Sequence, residues 1–151
     1  MVDVAVWHPD ALIGEAQYRR HLGEALGVVS RTERADVMLA LVLDSDRPLV
    51  EVVCVRPPGS RRAELVASIA HVDEGGVFPT SPSAHTLAEL GWEHVVAGRF
   101  GAWVAGPARA LEPDLDALTG LLVRTLVAFG TPLGFVDLRL QRLGHPLPVR
   151  R

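Results

Sequence analysis

The sequence predicts an α+β domain built on an antiparallel sheet of about five strands with flanking helices, and three observations carry that expectation. Two short, nearly continuous apolar runs, Asp36–Asp44 and Leu49–Arg56, stand on either side of the turn-rich tetrad Ser45-Asp46-Arg47-Pro48. This is the pattern of a hairpin lying mid-sheet with both faces covered. Strand-like segments come in blocks separated by helical ones, which favours α+β over the βαβ alternation of parallel-sheet folds. Hydrophobic residues make up 48% of the 151, enough for one core in a chain of single-domain length.

In chain order, the first helix is expected to open at Pro9-Asp10 and run to about Leu26. Tyr18, Leu22, Ala25 and Leu26 lie on one side and Arg19, Arg20 and Glu24 on the other. Gly14 and Gly23 weaken this helix, each by about 1 kcal/mol relative to alanine, and Gly27 is the expected stop. The hairpin follows, then a third strand over Arg62–Ala70 after Pro57-Pro58-Gly59-Ser60. From His71 to Ser83 glycine, proline, serine and threonine indicate a loop. A short helix is expected over Ser83–Leu90. Glu93–Ala97 and Phe100–Ala105 form a second hairpin around Gly98-Arg99. The closing helix starts at Pro113, with Asp114 and Asp116 in its first turn, where acids suit the helix dipole. Its stripe is Leu115, Leu118, Leu122, Leu126 and Phe129 with Leu121 beside it, and Gly130 and Pro132 end it. The resulting order is α-β-β-β-α-β-β-α. A single domain over 1–135 is expected, with 136–151 a C-terminal tail whose order the pattern leaves open, since Gly144, Pro146 and Pro148 interrupt it.

Composition excludes several function classes. All fifteen basic residues are arginine, so Schiff-base chemistry, a phosphate-loop lysine and a lysine general base are absent. A net charge of −3 with both signs scattered lacks the basic footprint of a nucleic-acid binder. Cys54 is the only cysteine, so no intrachain disulfide and no paired-cysteine metal site can form. The start Met1-Val2-Asp3-Val4 does not look like a signal peptide, and Val37–Leu43, seven residues, is strand-sized and not a membrane span. A cytoplasmic location is the expectation, with neither nucleic acid nor membrane as partner.

The remaining candidates read as structure. The six histidines, His8, His21, His71, His85, His94 and His145, form no metal-ligand spacing. His71, Asp73 and Glu74 share a loop and read as a solvated turn, and His21 as a partly exposed surface residue. Cys54 lies between Val53 and Val55, where burial suppresses the thiolate. Ser81 and Ser83 flank a proline with no nucleophile elbow around them. Gly75-Gly76 and Gly98–Gly101 read as turns, and Asp44 and Asp46 flank another. Trp92 reads as a core anchor and Trp7 as a residue near a frayed terminus. No catalytic, cofactor-binding or metal-binding residue is assigned, and no cofactor is expected.

Two stretches carry a family resemblance. Ala63-Glu64-Leu65-Val66-Ala67-Ser68, and then Leu87-Ala88-Glu89-Leu90-Gly91-Trp92 after a Pro/Ser loop, resemble the actinobacterial type III secretion chaperone-like, or YbjN-like (TY-Chap), domain family. Phe100–Trp103 stands where that family has an aromatic strand, and Leu122–Gly130 where it has a closing helix. The likeness spans roughly residues 5–135. It departs at Val50–Val55, where the family strand is more aromatic, and at Ile69, where the family has asparagine. The resemblance implies a secretion-chaperone fold of the order derived above and carries no catalytic residues.

The expected function is therefore a non-enzymatic protein-binding domain that holds a segment of a partner protein, with room for a homodimer. Two alternatives stand beside it. One is a small-molecule pocket between sheet and closing helix, for which Glu64, Ser68 and His94 would have to face each other. The other is an immunity-type partner protein.

Overall fold

A computed structural model describes residues 2–31, 37–43, 47–55, 64–69, 84–97, 100–105 and 114–142. The described strands are β1 (Val2–Trp7), β2 (Val37–Leu43), β3 (Arg47–Val55), β4 (Glu64–Ile69), β5 (Trp92–Ala97), β6 (Phe100–Ala105) and β7 (Val136–Arg142). The helices are α1 (Glu15–Arg31), α2 (Ala84–Leu90) and α3 (Leu115–Ala128). All seven strands join one antiparallel sheet in the order β1-β7-β2-β3-β4-β6-β5. The class is the α+β one the sequence indicates, and all five strands read from it are present. Two more are added, one at each end of the described chain.

The tail reading is corrected by β7. Residues 136–142 belong to the domain, lying between β1 and β2 in the sheet. Val136, Leu138 and Leu140 alternate with Asp137, Arg139 and Gln141, and the apolar set turns to the helices. That period-two pattern is the signature of a half-covered strand. The prolines and glycines around it hide the signal but do not interrupt the seven residues themselves.

Helix α1 begins later and ends later than the sequence suggests. Pro9–Ile13 is a turn: the Leu12 N–H donates to the Asp10 carboxylate at 3.1 Å and the Ile13 N–H to the Asp10 carbonyl at 3.0 Å. Such local bonds compete with helix initiation. At the other end Gly27 does not stop the helix, because Val29 extends the buried stripe of Tyr18, Leu22 and Leu26 by another turn. Burial of each such large apolar side chain contributes about 1.5–3 kcal/mol, which outweighs the ~1 kcal/mol cost of one glycine. Ser30 Oγ and Arg31 Nε donate to the Gly27 carbonyl at 2.9 and 3.0 Å, satisfying an acceptor that the helix end would leave open.

The core lies between one sheet face and the helices. From β2 to β4, Leu39, Leu41, Val50, Val52, Cys54, Leu65, Ala67 and Ile69 face it, and α1 and α3 close it with Leu22, Leu26, Leu118, Leu122 and Leu126. On the opposite face Met38, Ala40 and Val42 are buried too, packed with Val53, so β2 is covered on both sides as its unbroken apolar run implies. Helix α3 starts where its acids indicate: Asp114 is the N-cap and accepts from the Ala117 N–H at 3.0 Å. It ends at Gly130 with φ of 71°. The Gly130 N–H bonds Val127 and the Thr131 N–H bonds Leu126, a Schellman closure. Trp92 is the anchor expected of it, 2% exposed, with Nε1 donating to Thr125 Oγ1 at 2.9 Å.

Two glycines make opposite predictions. A Cβ on Gly134 would run into the Ala11 backbone, so Gly134→Ala should lower stability by about 2–3 kcal/mol. A Cβ on Gly23 would meet only Thr119 Oγ1, at 3.8 Å, an ordinary contact. Gly23→Ala should therefore be neutral or stabilising by up to about 1 kcal/mol, and urea midpoints of the two variants check both. Thr125→Val keeps the shape of the residue but strands the buried Trp92 N–H. It should cost about 2 kcal/mol, and that cost should shrink when Trp92 is already phenylalanine.

Candidate functional site

The sheet has two edge strands, β1 and β5, and β1 carries the more distinctive surroundings. Helix α1 lies over β7, β2 and β3, so β1 projects beyond its flank. There Trp7 stacks on His21 of α1, ring centroids 4.1 Å apart and 20° between planes, and tilts against Tyr18 at 5.6 Å. Trp7 is therefore part of the packed structure and not at a frayed end, a correction to the sequence reading. Its β-strand neighbour is Leu138, one of the core residues of β7.

Beside this stack runs an open groove of about 220 Å³, lined by Ala5, Trp7, His21, Glu24, Val28 and Leu140 with their neighbours. Its walls are mainly apolar. Val28 beside it is 42% exposed, and the edge strand itself exposes Val4 and Val6, the latter paired with Arg139 on the face turned away from the helices. Val4 sits at an irregularity: the register passes from Asp3↔Gln141 to Ala5↔Leu140 and skips it. Bulges of this kind twist an edge and limit indiscriminate strand pairing. The volume is below the ~300 Å³ at which pockets begin to enclose drug-sized ligands, and it suits a side chain of an extended segment.

The residue that follows β1 is held to β7 by its side chain. His8 Nδ1 lies 2.8 Å from Asp137 Oδ2 on β7, and Arg139 Nη2 lies 3.9 Å from the same oxygen. On the helix side the Tyr18 hydroxyl donates to the Val136 carbonyl at 3.2 Å. A histidine–aspartate pair is a common component of acid–base catalysis, but no hydroxyl or thiol among the described residues hydrogen-bonds to His8, and a nucleophile would have to do so. Cys54 is 1% exposed within the core, and its surroundings do not favour a thiolate. His85 pairs with Glu89 one helical turn away, both exposed on α2. Among the described residues no group of three or more His, Cys, Asp or Glu side chains could hold a metal ion. None of the described helices is long and apolar enough to cross a membrane.

Of the pocket envisaged from Glu64, Ser68 and His94, the side chains of Glu64 and His94 lie outside the described ones. Ser68 pairs with Val104, which pairs with Glu93, whereas Ile69 pairs with Trp103, which pairs with His94. Ile69 belongs to the helix-covered core and its neighbour Ser68 does not, so the two pairings lie on opposite faces of β4. A one-residue difference in register reverses the face, and sequence spacing within β4 could not reveal it. Residues 71–83, with His71, Asp73, Glu74, Gly75, Gly76, Ser81 and Ser83, lie outside the described residues, as do Asp44, Asp46, Gly98, Arg99 and His145. The groove itself was missed because both strands of its floor, β1 and β7, were. The alternation in Val136–Gln141 was the available signal.

No protein-family model, no curated protein and no solved structure matches the chain.

Tyr18 gives the site a pH signature. Burial first, and the nearby Asp137 carboxylate second, push its phenol well above the usual range. The folded state therefore holds this proton more tightly than the unfolded state. The resulting stability is present below pH about 10, the ordinary tyrosine value, and is lost as pH rises beyond it. Tyr18 is the only tyrosine, so tyrosinate absorbance should appear only together with unfolding. Tyr18→Phe should cost about 1 kcal/mol at neutral pH and flatten the alkaline decline.

Proposed function

We propose that this chain is a non-enzymatic protein-binding domain, used in the manner of a secretion chaperone, that holds an extended segment of another protein along β1. The observation that supports the reading most is the pairing of a sheet edge that no described strand covers with an apolar groove beside it. An edge strand offers backbone donors and acceptors in a row, and a neighbouring groove offers a seat for alternate side chains. Backbone pairing gives affinity that depends little on sequence, while the groove selects for an apolar anchor. Exposed valines on a strand edge are otherwise a hazard, since edges left apolar invite aggregation.

The absence of lysine fits the same reading by removing a set of catalytic routes. The occupant in this proposal is a segment of a partner protein, acting in the cytoplasm.

A phage-displayed library of random peptides, selected against the purified chain, tests this directly. Val28→Lys is the informative variant, because a cation near the C-terminal end of α1 suits the helix dipole while placing a charge in the apolar groove. Selected peptides should lose at least about tenfold in affinity, about 1.4 kcal/mol, on Val28→Lys. They should keep their affinity for His85→Ala on the distant α2. Peptides indifferent to Val28→Lys, or a library from which nothing is enriched, would refute the proposal.

A further inference from the structure

The other flank of α1, where it crosses α3, carries a larger and more polar cleft of about 600 Å³, whose lining includes Arg19, Arg20, Asp116 and Thr119. Next to it stands Gly120. A Cβ at that position would lie 3.3 Å from Nη1 of Arg124 and 3.6 Å from Nη1 of Arg19. Two guanidinium groups, one from each helix, thus converge over a backbone position that has no side chain of its own.

Like charges brought together in this way need a counter-charge; Glu24 and Asp116 line the cleft, but neither forms an ion pair with Arg19 or Arg124. Glu15 Oε2 is 3.7 Å from Arg19 Nε, with side chains 58% and 41% exposed, a solvated contact of the weak kind. Arg124 has no ion pair among the described residues, and Asp116 pairs with neither arginine. Arg19 Nε is itself buried and has no hydrogen-bond partner, although buried donors are almost always satisfied. The Thr119 hydroxyl already donates to the Leu115 carbonyl at 2.6 Å.

We propose that Arg19 and Arg124, meeting over Gly120, form a binding site for a small oxyanion of the phosphate class. The planar guanidinium fork matches tetrahedral and carboxylate oxygens in bidentate fashion. An anion between the two forks would neutralise both charges, while the Arg19 Nε–H, on the other edge of its guanidinium, stands 3.7 Å from Glu15 Oε2. The bare backbone at Gly120 is what lets the two Nη1 atoms come so close to it. This site lies on the opposite flank of α1 from the β1 groove and stands or falls independently of the peptide-binding proposal.

Titration calorimetry with sodium phosphate, against sodium chloride at matched ionic strength, is the experiment, joined to proton–nitrogen spectra of the arginine Nε–H groups. Phosphate should bind saturably and shift the Arg19 Nε–H resonance. Arg19→Gln and Arg124→Gln should each weaken binding by at least about tenfold. Arg31→Gln, at the far end of α1, should leave it unchanged. Acetate run in parallel tests the class: phosphate ahead of acetate supports the phosphate assignment, and acetate ahead overturns it. A phosphate response equalled by chloride, or one that survives Arg124→Gln, overturns the site.

Discussion

Between β1 and β2 there is room for one strand, and the chain fills it with its last described one. Everything at that end of the sheet depends on this insertion. β7 supplies the hydrogen-bond partners of both neighbours, the carbonyl that receives the Tyr18 hydroxyl and the carboxylate that holds His8. Without it β1 would have no sheet to join, and the Trp7–His21 stack would lose its floor. The turn that leads into β7 is equally constrained, since Gly134 touches the Ala11 backbone where only a hydrogen fits. Residues near the start of the chain and residues some 130 positions later are thereby fixed against each other. Pairings of such sequence separation form late and slowly, because loop closure must precede any gain from contact.

Most of the fold was legible, and the reasons differ by element. The β2–β3 hairpin was readable because both its strands are nearly continuous apolar runs flanking a turn. Helix α3 was readable because Asp114, the leucine stripe and Gly130 mark its start, face and end in agreement. The start of α1 was misread because Pro9-Asp10 serves equally well as a helix opening or as a tight turn, and the Asp10 carboxylate decides for the turn. Its end was misread because glycine is only a weak stop when a buried valine lies two residues on. β7 was concealed by its flanking prolines and glycines, and β1 by its brevity at the chain's start. What no local pattern could provide was which residues of β4, β5 and β6 share a face. Register is a property of strand pairs, and only the pairing itself sets Ser68 opposite Val104 and Ile69 opposite Trp103.

The chemistry of the molecule divides along α1. On its β1 flank the helix offers Val28, Ala25 and the edge of a stacked ring, with one acid at Glu24. On its α3 flank it offers Arg19 and Arg20, near Gly23 and Gly120. Gly23 and Gly120 look like weaknesses in a propensity count, yet both lie on the crossing with α3, and at Gly120 the missing side chain is what lets two arginines meet. One helix thus presents an apolar flank and a cationic flank, separated by the buried stripe that holds it to the sheet.

The solitary thiol has a practical meaning of its own. Cys54 is the only cysteine and sits at 1% exposure on β3, the middle strand of seven. An alkylating reagent can reach it only when the centre of the sheet opens, so its modification rate is a clock for that opening under fully native conditions. No label need be engineered, and no competing sulfhydryl blurs the reading. Comparing that rate with the exchange of backbone amides in β1 would tell whether the edge breathes alone or only when the whole sheet does.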